Sequence, residues 1–524
     1  METKFKGWSS TQYNWLFAGL LLSILLTQLD QTIVSTALPT IATQLEGFAQ
    51  MSWVFTIYML TSTAITPIAG KLSDLYGRKL FLILGLTIFV IGSVLCGMAD
   101  TMLQLIIFRG IKGIGAGFLM PITYTVVFSL MPRTGNSIYQ TLYMSIFALS
   151  SVIGPAIGAL ITSLLDWRYI FFINLPFGLL ILVIFLRLLP HDPTPSHRGA
   201  SIGYLSPALL ITGTLSLLLA LKLGGVQFAW SSVEIIGLLA AGIGLGAWFV
   251  LQQLREKEPI IPMPLFRDRV IASTYMATFM QGIIMYGSLV YIPLFVQGSL
   301  GGGVAGTGGA LTPLMLCVML GATLCGALIP RTTWRFTIST AMLLSGSGLV
   351  LLIFLPINVS FIVLCLVMVL IGLGIGMMMM VGQTAVSMGV DESVRGAATS
   401  SVSFFRSIGG VLGTAVLTVL VHSHLSRLLA EHRSELTGLA TAPGTVTDPL
   451  ALLSSSTDLP ANQLALLRQL LGDAVQYGFW FLVGAAALGF LAAFWAGAAR
   501  QAPHAPVAKS EAAPSQQAEA VPLR

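Results

Sequence analysis

Residues 70–79 read Gly70-Lys71-Leu72-Ser73-Asp74-Leu75-Tyr76-Gly77-Arg78-Lys79. This polar stretch separates two apolar ones, at roughly 52–70 and 80–99. Each is close to the 20 or so apolar residues that cover a hydrocarbon core of about 30 Å. Gly70 allows tight helix contact, and Gly77 permits a turn. Asp74 can accept hydrogen bonds from arginine or cap a neighbouring helix terminus. Arg78 and Lys79 favour the cytoplasmic side for this loop.

The rest of the chain has the same character. Of 524 residues, 55% are hydrophobic and only 9% are charged, and the mean hydropathy is +0.88. Soluble domains carry about 25% charged residues, so the composition is that of a polytopic membrane protein. Hydrophobic spans are expected at 15–38, 52–70, 80–99, 103–130, 138–163, 168–189, 203–222, 231–252, 271–296, 306–328, 336–356, 361–382, 396–422 and 474–497, fourteen in all. The weakest is 203–222, interrupted by Gly203, Pro207 and Gly213. Trp15–Leu29 followed by Ser35-Thr36-Ala37 has some features of a secretory leader. Thirteen further spans follow it, so a first membrane helix is the better reading.

Orientation follows from lysine and arginine. A cytoplasmic N-terminus places eighteen of them inside and five outside, the latter being Arg168, Lys222, Arg427, Arg433 and Arg468. An even number of spans returns the C-terminus to the cytoplasm. This asymmetry accounts for the net charge of +6, and no nucleic-acid partner is expected. Cys96, Cys317, Cys325 and Cys365 all fall in apolar spans without paired spacing, as small membrane-helix residues. The six histidines form no HExxH pattern. With no phosphate-binding loop or catalytic triad either, neither metal, cofactor nor enzyme chemistry is expected.

Three further stretches extend the pattern of 70–79. The fourth span carries Arg109-Gly110-Ile111-Lys112-Gly113-Ile114-Gly115-Ala116-Gly117. The fifth carries Gly154-Pro155-Ala156-Ile157-Gly158, and the first Leu29-Asp30-Gln31-Thr32 through Pro39. Together with Trp167 to Pro176 and Glu258-Pro259, they make the chain resemble the fourteen-span drug:proton antiporters of the major facilitator superfamily. The resemblance implies that Gly70, Asp74, Gly77, Arg78 and Lys79 form a conformational latch. It further implies that Gly154, Pro155 and Gly158 form an antiporter motif, where Ala159 replaces a common second glycine. Lys112 stands where the family usually has Gln, which adds a second intramembrane cation. Residues 326–335 resemble a repeat of the first loop that lacks the Asp.

Asp30 is an acid near the middle of an uncharged span, a position that is costly unless paired, hydrated or protonated. At about 1.5 Å per residue it lies roughly 12 Å below the outer surface. Arg109 and Lys112 lie at about 9 and 13 Å and share a helix face at i and i+3. The three are therefore expected at similar depth, as a proton-coupling trio or as a static ion pair. Candidates for a substrate cavity are Gln28, Trp53, Tyr58, Tyr124, Phe147, Gln281, Tyr286 and Gln383. Arg406 faces either that cavity or the cytoplasmic side. Met377 to Met380 form a polarizable run of which at most half can face one cavity.

The resulting expectation is an all-α polytopic membrane protein with the major facilitator fold. A six-helix bundle occupies 1–190, a linker with two additional membrane helices 191–258, and a second six-helix bundle 259–500. The second bundle includes an external loop at 423–473, and a disordered cytoplasmic tail follows at 501–524. The resemblance implies proton-coupled efflux of lipophilic small molecules through the cytoplasmic membrane by a monomer embedded in lipid. The alternative is a dedicated exporter of one metabolite or lipid, working with an accessory partner at the external loop.

Overall fold

The computed structural model describes residues 9–46, 50–130, 142, 146, 149–150, 153–154, 157–158, 160–190, 203–224, 228–256, 258–298, 303–356, 359–432 and 460–497. In the first half, α1 is Ser10–Gln44, α2 Met51–Tyr76, α3 Arg78–Gly97, α4 Met102–Leu130 and α5 Asn174–Leu188. Then α6 is Leu205–Leu223 and α7 Val233–Arg255. The second half contains α8 Arg269–Gly298, α9 Gly303–Leu328, α10 Trp334–Ile353, α11 Phe361–Gly389, α12 Arg395–Glu431 and α13 Ala461–Trp495. Twelve helices among the described residues are long and apolar enough to cross a membrane, and Leu205–Leu221 in α6 is apolar but shorter. The expected span 138–163 lies largely outside the described residues.

Helix starts follow local chemistry. At α1, Ser9 Oγ accepts from Gln12 N at 3.2 Å and Gln12 Oε1 accepts from Ser9 N at 3.1 Å, a reciprocal cap of two otherwise unpaired donors. Asp268 Oδ1 accepts from Val270 N and Ile271 N at 2.8 and 3.2 Å at the start of α8. Gly77 sits at φ +100°, a region closed to most side chains, and there the chain passes from α2 into α3 in a single residue.

Helices α1 to α5 pack as one bundle and α8 to α13 as another. The two meet where α2 and α4 lie against α12. The pair α6–α7 sits outside both, and α6 touches α2 and α12. A cluster of Ile68, Leu209, Phe249, Ile260 and Phe404 seals that contact. Beneath it, Gln253 Oε1 accepts from Ile260 N at 2.6 Å, and Gln253 Nε2 donates to Ser206 Oγ at 2.9 Å. The inserted pair is thereby fixed to the seam between the bundles.

Two expectations change. The loop placed at 423–473 is shorter, because α12 continues to Glu431 and α13 begins at Ala461. Leu464–Leu471, where the sequence allows a short amphipathic helix, is the first part of that long helix. The Met377–Met380 run is entirely buried in the core of the second bundle. Gly372 and Gly376 bring α11 against the Leu314 and Val318 carbonyls of α9, so close packing on one side leaves these methionines to fill the core.

Candidate functional site

Asp30 of α1 lies between two cations of α4. Arg109 Nη1 donates to Asp30 Oδ2 at 2.5 Å, and Lys112 Nζ donates to Asp30 Oδ1. All three side chains are fully buried. Arg109 Nε also donates to the Val54 carbonyl at 3.3 Å, and its guanidinium lies 4.4 Å from the Tyr58 ring centroid. Lys112 Nζ donates to Ser93 Oγ at 2.8 Å and stands 4.6 Å from the Phe89 ring and 5.2 Å from Phe171. Ser93 is itself fully used. It donates to the Phe171 carbonyl at 2.8 Å and accepts from Asn174 Nδ2 at 2.9 Å.

Glycine makes this convergence possible. A Cβ at Gly92 would stand 2.8 Å from both N and Cα of Lys112, and one at Gly113 would stand 2.6 Å from the Tyr58 carbonyl. The site is therefore built where α2 and α3 pack closely on α4. A buried ion pair of this kind is costly to break, about 3–5 kcal/mol when one partner is removed, because the other charge is left stranded.

The loop at 70–79 forms a second site. Asp74 Oδ1 accepts from Gly396 N at 3.1 Å and Asp74 Oδ2 from Ala397 N at 2.8 Å. A carboxylate of the first bundle thus caps the N-terminus of α12 in the second. A side chain at Gly70 would collide with Ser400 and the Gly396 carbonyl. Thr125 and Thr399 share a hydrogen bond at 3.0 Å one layer deeper. Lys79 Nζ donates to the Leu186 and Leu189 carbonyls at 2.9 and 2.7 Å, binding α3 to the end of α5. Arg78 is buried beside Asp74.

Toward the other ends of α2 and α12 the bundles part around a cavity of about 550 Å³. Gln31, Thr56, Tyr286, Thr414, Thr418 and His422 supply its polar groups, and Phe55, Met59 and Leu60 supply part of its apolar wall. Trp230, from the connection between α6 and α7, also lines it. Among the described lining residues there is no carboxylate. Gln31 follows Asp30 directly on α1, so one helix carries both the carboxylate of the trio and part of the cavity wall.

Residues 20–414 match the Major Facilitator Superfamily. The chain belongs to the major facilitator superfamily. It is similar to the multidrug transporter protein MdtP of Bacillus subtilis (strain 168), 37% identical over 417 residues, covering 79% of this chain and 76% of that one. Multidrug resistance protein 3 of the same organism is 32% identical over 484 residues, covering 91% of this chain and 94% of the relative. Among solved structures, the human organic anion transporter MFSD10 (TETRAN) shares the fold with a TM-score of 0.59 at 14% identity, covering 92% of this chain and 99% of that one. This facilitator is a multi-pass membrane transporter and not an enzyme.

The facilitator's sequence candidates separate into three groups. Asp30, Arg109 and Lys112 meet, as do Gly70 and Asp74 with the start of α12. Of the cavity candidates, Tyr286 lines the cavity, while Gln28, Trp53, Tyr58, Tyr124, Gln281, Gln383 and Arg406 do not. Tyr58 packs on Arg109 instead, and Gln383 Nε2 donates to Ser403 Oγ at 3.1 Å, which also accepts from Arg406 Nη2 at 3.4 Å. Phe147 and Pro155 lie outside the described residues. Gly154 and Gly158 are buried, and a side chain at Gly154 would strike Thr32 of α1. The cavity residues missed from the sequence had a readable signal. Ser407, Val411, Thr414, Thr418 and His422 recur at helical spacing along one face of α12.

Proposed function

We propose that the protein exports lipophilic small molecules, drugs among them, in exchange for protons across the cytoplasmic membrane by alternating access. The observation that carries this reading is the buried carboxylate held between two cations on a helix that also lines the cavity. A group whose surroundings differ between two conformations holds its proton more tightly in one of them. That difference in affinity links proton flow to the conformational cycle. The multidrug names of the two Bacillus relatives support the substrate class. The mainly apolar cavity with a few polar groups fits such compounds.

In this reading the latch end is cytoplasmic, as the lysine and arginine asymmetry favours, and both termini lie on that side. Asp74 then closes the cytoplasmic route while the cavity occupies the outer half. The fifth segment, with Gly154, Pro155 and Gly158, completes fourteen spans in a monomer.

Everted membrane vesicles test the coupling. Adding a transported dye to acid-loaded wild-type vesicles is expected to dissipate part of the pH gradient, and Asp30→Asn vesicles with equal protein content should show none. Equal dissipation in both would sink the proposal.

A further inference from the structure

We infer that Lys112 is the residue that carries the exchangeable proton, while Asp30 and Arg109 remain a permanent ion pair. This rests on the proton-coupling reading and deepens it.

The charges of the trio do not balance. One carboxylate between two cations leaves one positive charge uncompensated, at a place where all three side chains are fully buried. The groups facing Lys112 are Asp30 from α1, the Cys96 thiol and Ser93 hydroxyl from α3, and Arg109 on its own helix. The remaining sides are closed by the rings of Phe89 and Phe171. Among the described residues no second carboxylate reaches it. An uncompensated buried charge costs several kcal/mol, so the site favours whichever proton transfer removes it.

Only one transfer does so. Protonating Asp30 would make matters worse, leaving two cations without a counter-ion. Arg109 keeps its protons, because a guanidinium does not deprotonate in proteins. An ammonium can lose one and become a neutral amine. Loss of a proton from Lys112 leaves the Asp30–Arg109 pair, with no net charge.

Hydrogen bonding agrees. An ammonium has three donors and a neutral amine two. Lys112 Nζ makes two hydrogen bonds, to Asp30 Oδ1 and Ser93 Oγ. The third N–H has only the two aromatic faces beside it. Releasing that proton breaks one Nζ–H bond and leaves its electron pair on Nζ. The proton passes to water on the side to which the trio has opened, and both hydrogen bonds survive. Reloading from the opposite side completes a cycle of one proton.

The sequence makes a direct test feasible, because the chain has only eight lysines. Full-length protein labelled with 13C at lysine Cε, in detergent micelles, is titrated by NMR. The resonance missing from K112Q, or from K112R if K112Q does not fold, identifies Lys112. Its resonance is expected to change from ammonium-like to amine-like in the course of the titration. A Lys112 signal that stays ammonium-like throughout overturns the inference, and the proton-coupling reading stands if wild-type vesicles still exchange protons. If wild-type vesicles exchange none, that reading falls and the assignment of the carrier falls with it.

Discussion

Lys71 Nζ lies 2.6 Å from Glu258 Oε2, with the lysine side chain 5% and the glutamate 22% exposed. The two residues are 187 positions apart. One lies near the end of α2 and the other on the chain leaving the inserted helices, so this ion pair joins the insert to the first bundle. Neutralising either partner alone, in Lys71→Met or Glu258→Gln, should lower thermal stability in detergent. The double variant should lose less than the sum, with an interaction energy of about 0.5–3 kcal/mol. Strict additivity in melting experiments would mean that the contact is not energetically coupled.

Asp74 caps α12 through two backbone donors. Removing such a cap costs about 0.5–2 kcal/mol, and about 1 kcal/mol changes an equilibrium roughly fivefold. In Asp74→Ala the latch should therefore open more often. A reporter cysteine at Ser400, buried against Gly70, should react with maleimide several times faster than in the Asp74 background. An unchanged rate would show that the closed latch does not depend on this carboxylate.

Gly92 and Gly246 offer a matched pair. A side chain at Gly92 meets the backbone of Lys112, which cannot move aside, whereas at Gly246 nothing lies within 4 Å. Gly92→Val should cost about 1–3 kcal/mol of stability by overpacking. Gly246→Ala should be neutral or gain up to about 1 kcal/mol of helix propensity. Melting temperatures of the purified variants check both, and similar losses at the two positions would contradict the packing of α3 on α4.

Trp230 reaches the cavity from the inserted pair rather than from either bundle. Its loss in Trp230→Ala should weaken binding of aromatic lipophilic compounds by about 0.5–1.5 kcal/mol, roughly twofold to twelvefold. Fluorescence titration of the purified protein with such a dye gives the ratio. Identical affinities in wild type and variant would place the substrate elsewhere.

Much of this was legible in the sequence because membrane charges are few and expensive. Asp30, Arg109 and Lys112 could be set at one depth by counting residues along antiparallel helices. Asp74 could be anticipated as a cap because its neighbours are glycines and cations at a helix end. The cavity was harder to see. Helices in lipid are apolar all round, so hydrophobic periodicity does not tell Gln281 or Gln383, buried in the second bundle, from Gln31, which faces the cavity. The Lys71–Glu258 pair was beyond reach because nothing local links residues so far apart. The extension of α12 to Glu431, and the continuity of the helical stretch at Leu464–Leu471 with the last membrane span, were missed because those turns are polar while remaining helical.

The central claim is that proton flow and substrate flow are bound to one another through the buried trio. It is tested most directly by purified protein in proteoliposomes, with a fluorescent lipophilic dye at equal concentration on both sides and an imposed pH gradient. The account predicts that the dye accumulates on the acidic side, that reversing the gradient reverses the accumulation, and that Asp30→Asn abolishes it. Dye movement that ignores the direction of the gradient in wild type, or that still follows it in Asp30→Asn, would contradict the account.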